Sequence, residues 1–266
     1  MAELCLYSIA LIFFLVTVPN SVHGIGVCYG RHGNNLPLPS EVVALYRSNG
    51  ITNMRIYSPD QDVLQALSGS NIQLIVGLPN ENLQSIASDQ SAANDWVQNK
   101  IVAFSGVAFR YIAVGNEVIP ENPNLAQYVL PAMQNIQNAI NAAGLQSQIK
   151  VSTAVSGNAL GQSYPPSAGA FASDSMGSIV QFLASNQAPL LFNVYPYFSY
   201  AGDSAEIPLD YALFTSDGAV VHDGPFDYQN LFDAMVDAAY VALEKVGGVG
   251  SESTKSHRQK AKREKQ

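Results

Sequence analysis

Six short apolar runs recur along the chain, at positions 25–29, 51–57, 72–78, 109–114, 149–155 and 190–195, with longer amphipathic stretches between them. Most are rich in Val and Ile at consecutive positions, as in a parallel strand covered on both faces. The stretches between them carry helical spacing. Val129, Met133, Ile136 and Ile140 mark one buried helix face, closed by Ala142-Ala143-Gly144. Ser58-Pro59-Asp60-Gln61 predicts a helix start capped by Ser58, with proline at the first helical position, and Val63, Leu64 and Leu67 form its buried side. Phe232, Met235, Ala239 and Ala242 predict the buried face of a last helix that ends at Lys245.

Alternating strands and helices with short links predict an α/β protein with a parallel sheet, either doubly wound or closed into a barrel. No Gly-x-Gly-x-x-Gly follows the first strand, so the phosphate-binding turn of the open dinucleotide fold is missing. Polar and aromatic residues gather instead just past the strand ends: Tyr29, Arg55, Tyr57, Asn116, Glu117, Asn193 and Tyr195. That is where a (β/α)8 TIM barrel builds its active site. Six strands are read where eight close a barrel, so the expected domain, residues 25–248, is an incomplete (β/α)8 barrel of about six units. An unclosed barrel leaves strand edges unpaired and its interior open to water, which predicts poor solubility or self-association.

The two ends read differently from the body. Residues 4–18 are mostly apolar, and Val22-His23-Gly24 puts small or apolar residues where a signal peptidase reads, so residues 1–24 are expected to be a cleaved signal peptide. The run is shorter than the ~20 residues of a spanning helix. Residues 249–266 hold six of the thirteen basic residues and no apolar run, and a disordered tail is expected there. Up to Gly250 the chain carries seven basic residues against nineteen acidic ones. Such a body repels nucleic acid and anionic membranes, and a neutral polymer is the better partner. Cys28, inside the first apolar run, is expected to be a packed, unreactive thiol. The four histidines show no metal-ligand spacing, and neither metal nor cofactor is expected.

The stretch FRYIAVGNEVIP, residues 109–120, ends a buried strand on an amide and a carboxylate. A strand-end Asn-Glu pair can cap the following helix. A partly desolvated glutamic acid can also keep its proton near neutral pH and deliver it to a glycosidic oxygen, a poor leaving group until protonated. NVYPYFSY, residues 193–200, places four rings within six residues. Such rings either stack on the C–H faces of sugars or floor their own loop. Arg55 could hold a catalytic carboxylate or serve in a structural ion pair.

Seven segments in order, IGVCYGRHGNNLP, MRIYSPD, FRYIAVGNEVIP, KVSTAV, SYPPSAGAF, APLLFNVYPYFSY and YQNLFDAMVDAAYVALEKVGG, closely resemble the plant β-1,3-glucanases of glycoside hydrolase family 17. The resemblance runs from Ile25 to about Gly248. It implies a (β/α)8 barrel, cofactor-free endo-hydrolysis of β-1,3-glucan with retention, and a role in plant defence or wall turnover. The expected signal peptide predicts a secreted protein, of the cell wall with the vacuole the less favoured alternative, since the basic tail differs from the apolar extension expected of vacuolar forms. By match to the family motif, Glu117 would be the general acid/base and Asn116 its substrate-binding neighbour, with Tyr29, Tyr195 and Phe198 lining the cleft. The chain departs from the family at the nucleophile. Only Ser251-Glu252-Ser253 stands at the corresponding place, with no β-branched run before it and no Gly-Trp-Pro after it. Glu252 is thus a weak nucleophile candidate, and a C-terminally truncated member is expected. An inactive glucan-binding fragment is the alternative to an active enzyme.

Overall fold

The computed structural model describes residues 26–247. The expected signal peptide, the basic tail and Glu252 lie outside the described residues.

Five strands come first: β1 (Gly26–Cys28), β2 (Asn53–Ile56), β3 (Gln73–Leu78), β4 (Ala108–Asn116) and β5 (Lys150–Ser156). A hairpin of β6 (Leu160–Gln162) and β7 (Ala170–Phe171) intervenes before β8 (Leu191–Asn193). The main sheet is parallel in the order β1-β2-β3-β4-β5-β8. That order never reverses, as a doubly wound sheet must at its switch point. Successive strands curl one way into a half-barrel, which gives the partial (β/α)8 architecture.

Helices α1 (Pro39–Ser48), α2 (Gln61–Leu67), α3 (Leu83–Ser88), α4 (Gln90–Lys100), α5 (Pro123–Ala142) and α6 (Ser175–Ser185) form the links between these strands. Strand residues Met54, Leu74, Val76, Ile112, Val114 and Val151 pack in one core with Leu64, Leu67, Met133, Ile136 and Ile140 of the helices. All four residues predicted for the α5 face are fully buried. At α2 the buried side is as predicted, but the cap is not. Asp60, rather than Ser58, caps the helix, its Oδ1 accepting from the Val63 N–H at 3.1 Å. A carboxylate there meets the positive end of the helix dipole and also Arg31, 2.7 Å away.

After β8 the chain builds a small unit from α7 (Pro196–Gly202), α8 (Leu209–Ala212), the antiparallel pair β9 (Val221–Asp223) and β10 (Phe226–Tyr228), and α9 (Leu231–Lys245). Tyr211, Tyr228, Leu231 and Ala234 form its own core. The α9 face predicted on Phe232 and Met235 is corrected. Ala239 and Ala242 are buried as predicted, but the rest of the buried side runs through Leu231, Ala234, Ala238 and Val241, while Phe232 is exposed and Met235 only partly covered. Close approach decides this: Gly169 lies so near that a Cβ on it would stand 2.1 Å from the Ala238 carbonyl oxygen. Only a stripe of small residues lets the two segments meet.

Cys28 is a third correction. Its thiol is exposed, because β1 is an edge strand and Cys28 pairs in register with Arg55. With no strand on the other side of β1 among the described residues, that interior-facing position opens to solvent.

Candidate active site

The local feature that builds the site is a bulge in β4. Ala113 pairs with Ser152 of β5, but the next paired residue is Asn116, opposite Ala154. Three steps on β4 therefore match two on β5. Side chains alternate faces along a strand, so the extra residue turns Asn116 from the helix-covered face to the barrel interior. Gly115 makes the bulge possible. Its φ is +73°, and a Cβ there would meet Val118 Cγ2 at 3.0 Å. Glu117 follows at φ +54°, held by a bond from its N–H to the Ala154 carbonyl at 2.8 Å.

Asn116 then meets Arg55 and Asn193. The Arg55 guanidinium donates to Asn116 Oδ1 at 2.6 Å and to Asn193 Oδ1 at 2.9 Å. With its oxygen engaged by arginine, Asn193 turns its Nδ2 to Asn116 Oδ1, 3.2 Å away, and to Glu117 Oε1 in a close contact. The Tyr195 hydroxyl donates to the same Oε1 at 2.8 Å. Both donors converge on Oε1, and among the described residues Oε2 accepts no hydrogen bond. The second carboxylate oxygen is the one free to meet a ligand.

Two further residues brace this arrangement. Asn80 brackets the Asn116 backbone, its Oδ1 accepting from the N–H at 2.8 Å and its Nδ2 donating to the carbonyl at 3.0 Å. Tyr57 lies under the Arg55 guanidinium, 4.8 Å from carbon to ring centre. Burial, then a hydrogen bond with Cys28, raises the Tyr57 phenol above its ordinary range. Burial also pushes Tyr195 up to about 12, with help from its bond to Glu117 and that group's charge. Tyr195 is therefore a neutral hydroxyl donor at any ordinary pH. Like Glu117, it has a left-handed backbone, at φ +50°. Two such non-glycine residues side by side store strain of order 1–3 kcal/mol each, a mark of functional sites.

The structure thus brings Glu117, Asn116 and Tyr195 together. Phe198 joins them through an edge-on contact with Tyr195, ring centres 5.5 Å apart, and is 65% exposed. Tyr29 stands apart from the Glu117 network. Its ring is buried, its hydroxyl has no partner among the described residues, and it lines a cavity of about 650 Å³ together with Arg55, Asn80 and Asn116. Arg55 does not hold Glu117 directly, as one reading of the sequence had it. It holds Asn193, which does, and Asn116 beside it. Asn80 gave no sequence signal, since nothing in a Pro79-Asn80-Glu81 turn distinguishes a backbone bracket from a solvated amide. Among the described residues no group of three or more His, Cys, Asp or Glu could hold a metal, and no helix is long and apolar enough to cross a membrane.

A strand-end carboxylate held by an amide and a phenol in a half-barrel, beside exposed rings, is the arrangement of a (β/α)8-barrel glycosidase. The chain belongs to the glycosyl hydrolases family 17, whose pattern it matches over residues 25–253. It is 61% identical over 238 residues to a glucan endo-1,3-beta-glucosidase of Vitis vinifera, covering 87% of this chain and 69% of that protein. A glucan endo-1,3-beta-glucosidase of Pisum sativum is 50% identical, over 89% of this chain and 65% of its own length. The chain thus spans about two thirds of these relatives. Among solved structures, a β-1,3-glucanase and pollen allergen of Cryptomeria japonica superposes with a TM-score of 0.81 at 49% identity, over 84% of this chain and 71% of that one. One of two plant β-glucan endohydrolases with distinct substrate specificities gives a TM-score of 0.80 at 48% identity, over 84% and 73%.

Proposed function

We propose that this protein hydrolyses internal linkages of β-1,3-glucan with retention of anomeric configuration, with Glu117 as the general acid/base. The observation that carries the reading is the Glu117 carboxylate, fixed through Oε1 by Asn193 and Tyr195 while Oε2 accepts no hydrogen bond among the described residues. Protonation of the leaving oxygen and later activation of water need one carboxyl group in one place, and a positioned acid/base contributes roughly 10²–10⁴-fold. Asn116, its Oδ1 engaged by Arg55, keeps its Nδ2 for a sugar hydroxyl beside the scissile bond. Tyr195 and Phe198 present ring faces to the C–H faces of glucosyl units. A retaining mechanism also uses a second carboxylate ~5–5.5 Å from the first. Among the described residues none joins the Glu117 network, and the candidate Glu252 lies outside them. We infer a role in plant defence or wall turnover on family grounds, and secretion to the cell wall from the expected signal peptide of residues 1–24.

The test is new reducing ends from a soluble β-1,3-glucan, measured for the wild type and Glu117→Gln. Turnover that falls at least 10²-fold in the variant supports the assignment. Tight glucan binding with no turnover in the wild type would favour the inactive glucan-binding reading instead.

A further inference from the structure

The segment that carries the acid/base is tied to β5 at two places. The first tie is the bond from the Glu117 N–H to the Ala154 carbonyl at 2.8 Å. The second is made by the side chain of Glu121. Its Oε1 accepts from the Ser156 hydroxyl at 2.6 Å and from Asn158 Nδ2 at 3.0 Å. Ser156 is the last residue of β5 and is buried, and Asn158 stands in the short turn Gly157–Ala159 that follows. The serine bond has the length of a charge-assisted hydrogen bond to a carboxylate, roughly twice as strong as a neutral one.

The backbone between β4 and α5 needs such a tie. Gly115 and Glu117 are both left-handed, and the β4–β5 register shifts between Ala113 and Asn116. A strained backbone persists only where its surroundings over-determine it. Val118 and Ile119 are buried in the core, and the Asn122 side chain caps α5 by accepting from the Leu125 N–H at 3.3 Å. Those contacts fix the segment to the core and to the helix; Glu121 fixes it to the strand. Ser156 also pairs in register with Asn193, whose amide donates to Glu117. The tie therefore holds the acid/base segment to the same part of the sheet that presents a donor to its carboxylate.

We propose that Glu121 is a positioning residue for the glycosidic reaction: its bonds to Ser156 and Asn158 set where the Glu117 carboxylate stands, and it does not itself react. The proposal rests on the glucan reading above and adds to it a residue outside the Glu117 network. Both donors meet one oxygen of Glu121, and the carbonyl oxygen of a glutamine can accept both as well. Removing the side chain leaves the buried serine hydroxyl without its acceptor and the segment with one tie to β5.

The experiment compares Glu121→Gln, Glu121→Ala, Ser156→Ala and the double Glu121→Ala/Ser156→Ala variant in the full chain. It reads kcat and KM on a soluble β-1,3-glucan, and hydrogen exchange at the Glu117 amide and along β4. Glu121→Ala is expected to lower kcat about tenfold or more with KM within about twofold, since a misplacement near 1 Å has effects of that order. Glu121→Gln should rescue kcat to within about threefold of wild type, and the double variant should lose about as much as the worse single one. Exchange at Glu117 should quicken about tenfold in Glu121→Ala while the rest of β4 keeps its rates. Unchanged kcat or unchanged exchange at Glu117 in Glu121→Ala overturns the positioning role. So does exchange that quickens equally along β4, which marks a loss of stability alone. Glu121→Gln as damaged as Glu121→Ala also overturns it, because the charge rather than the tie would then matter. A wild type that turns over no glucan overturns the acid/base reading, and the exchange comparison then decides the Glu121 tie by itself.

Discussion

Asn80 uses both ends of its amide on the backbone of Asn116, and in doing so completes the strand where the bulge has broken its ladder. Removing it leaves a partly buried N–H and C=O without partners, which costs about 1–3 kcal/mol. It also lets the Asn116–Glu117 bend drift. Asn80→Ala should lower kcat on β-1,3-glucan by roughly 10–100-fold with KM little changed, since a misplacement near 1 Å can have such an effect. Steady-state kinetics alongside a urea melt will show both losses; a stability loss with kcat intact would make Asn80 merely structural. Tyr195 gives a pH signature. Its folded phenol titrates near 12 against an ordinary 10.0, so the folded state keeps a proton that the unfolded chain releases. That stabilisation is complete below pH 10 and is lost as pH rises toward 12. Tyr195→Phe should flatten the decline in stability across this window, read by denaturant unfolding at stepped pH. At this scale Glu117, Asn116 and Tyr195 were legible as polar residues ending apolar runs. The partners of Arg55 were not, because Asn116 and Asn193 lie 61 and 138 residues away.

At the scale of elements, apolar periodicity marked all six sheet strands and the buried faces of α2 and α5, because those segments pack against one large core. It misread the start of α2 by two residues and the first turn of the α9 face, at Phe232 and Met235. A cap is decided by which side chain reaches the first free N–H groups, and Ser58 and Asp60 both could. Geometry chose the aspartate, which gains Arg31 as well. Asp60→Ala should destabilise the protein by about 1 kcal/mol through the lost cap, measured as a shift in the urea midpoint at unchanged slope. Ser58→Ala should leave that midpoint nearly unchanged. The β6–β7 and β9–β10 pairs escaped sequence reading because strands of two or three residues cannot show a period. Leu160 of β6 and Val221 of β9 nonetheless line one cavity together with Tyr195.

At the scale of the whole molecule, the described sheet has two open edges, β1 and β8. An uncovered edge presents free N–H and C=O groups and is a template for another chain. Cys28 on β1 reports on that edge, since its thiol is exposed in the single chain. Sedimentation velocity should show association growing with concentration, and labelling of Cys28, located by mass spectrometry, should slow as it does. A monodisperse monomer with uniformly reactive Cys28 would mean that edge association is not a property of this fold. The expected polymer partner belongs to this scale too, because an acidic body disfavours anionic ligands wherever they approach.

The sequence by itself determined the alternation of strands and helices, the strand ends where polar residues collect, and the glutamate that stands out among them. These follow from local patterns, because burial against a common core imposes its period on each segment separately. Only the tertiary structure decided which way Asn116 faces, what Arg55 holds, and that the buried Tyr211 hydroxyl has no hydrogen-bond partner among the described residues. Each of those depends on a register between distant strands or on the packing of short elements, and neither leaves a period in the chain.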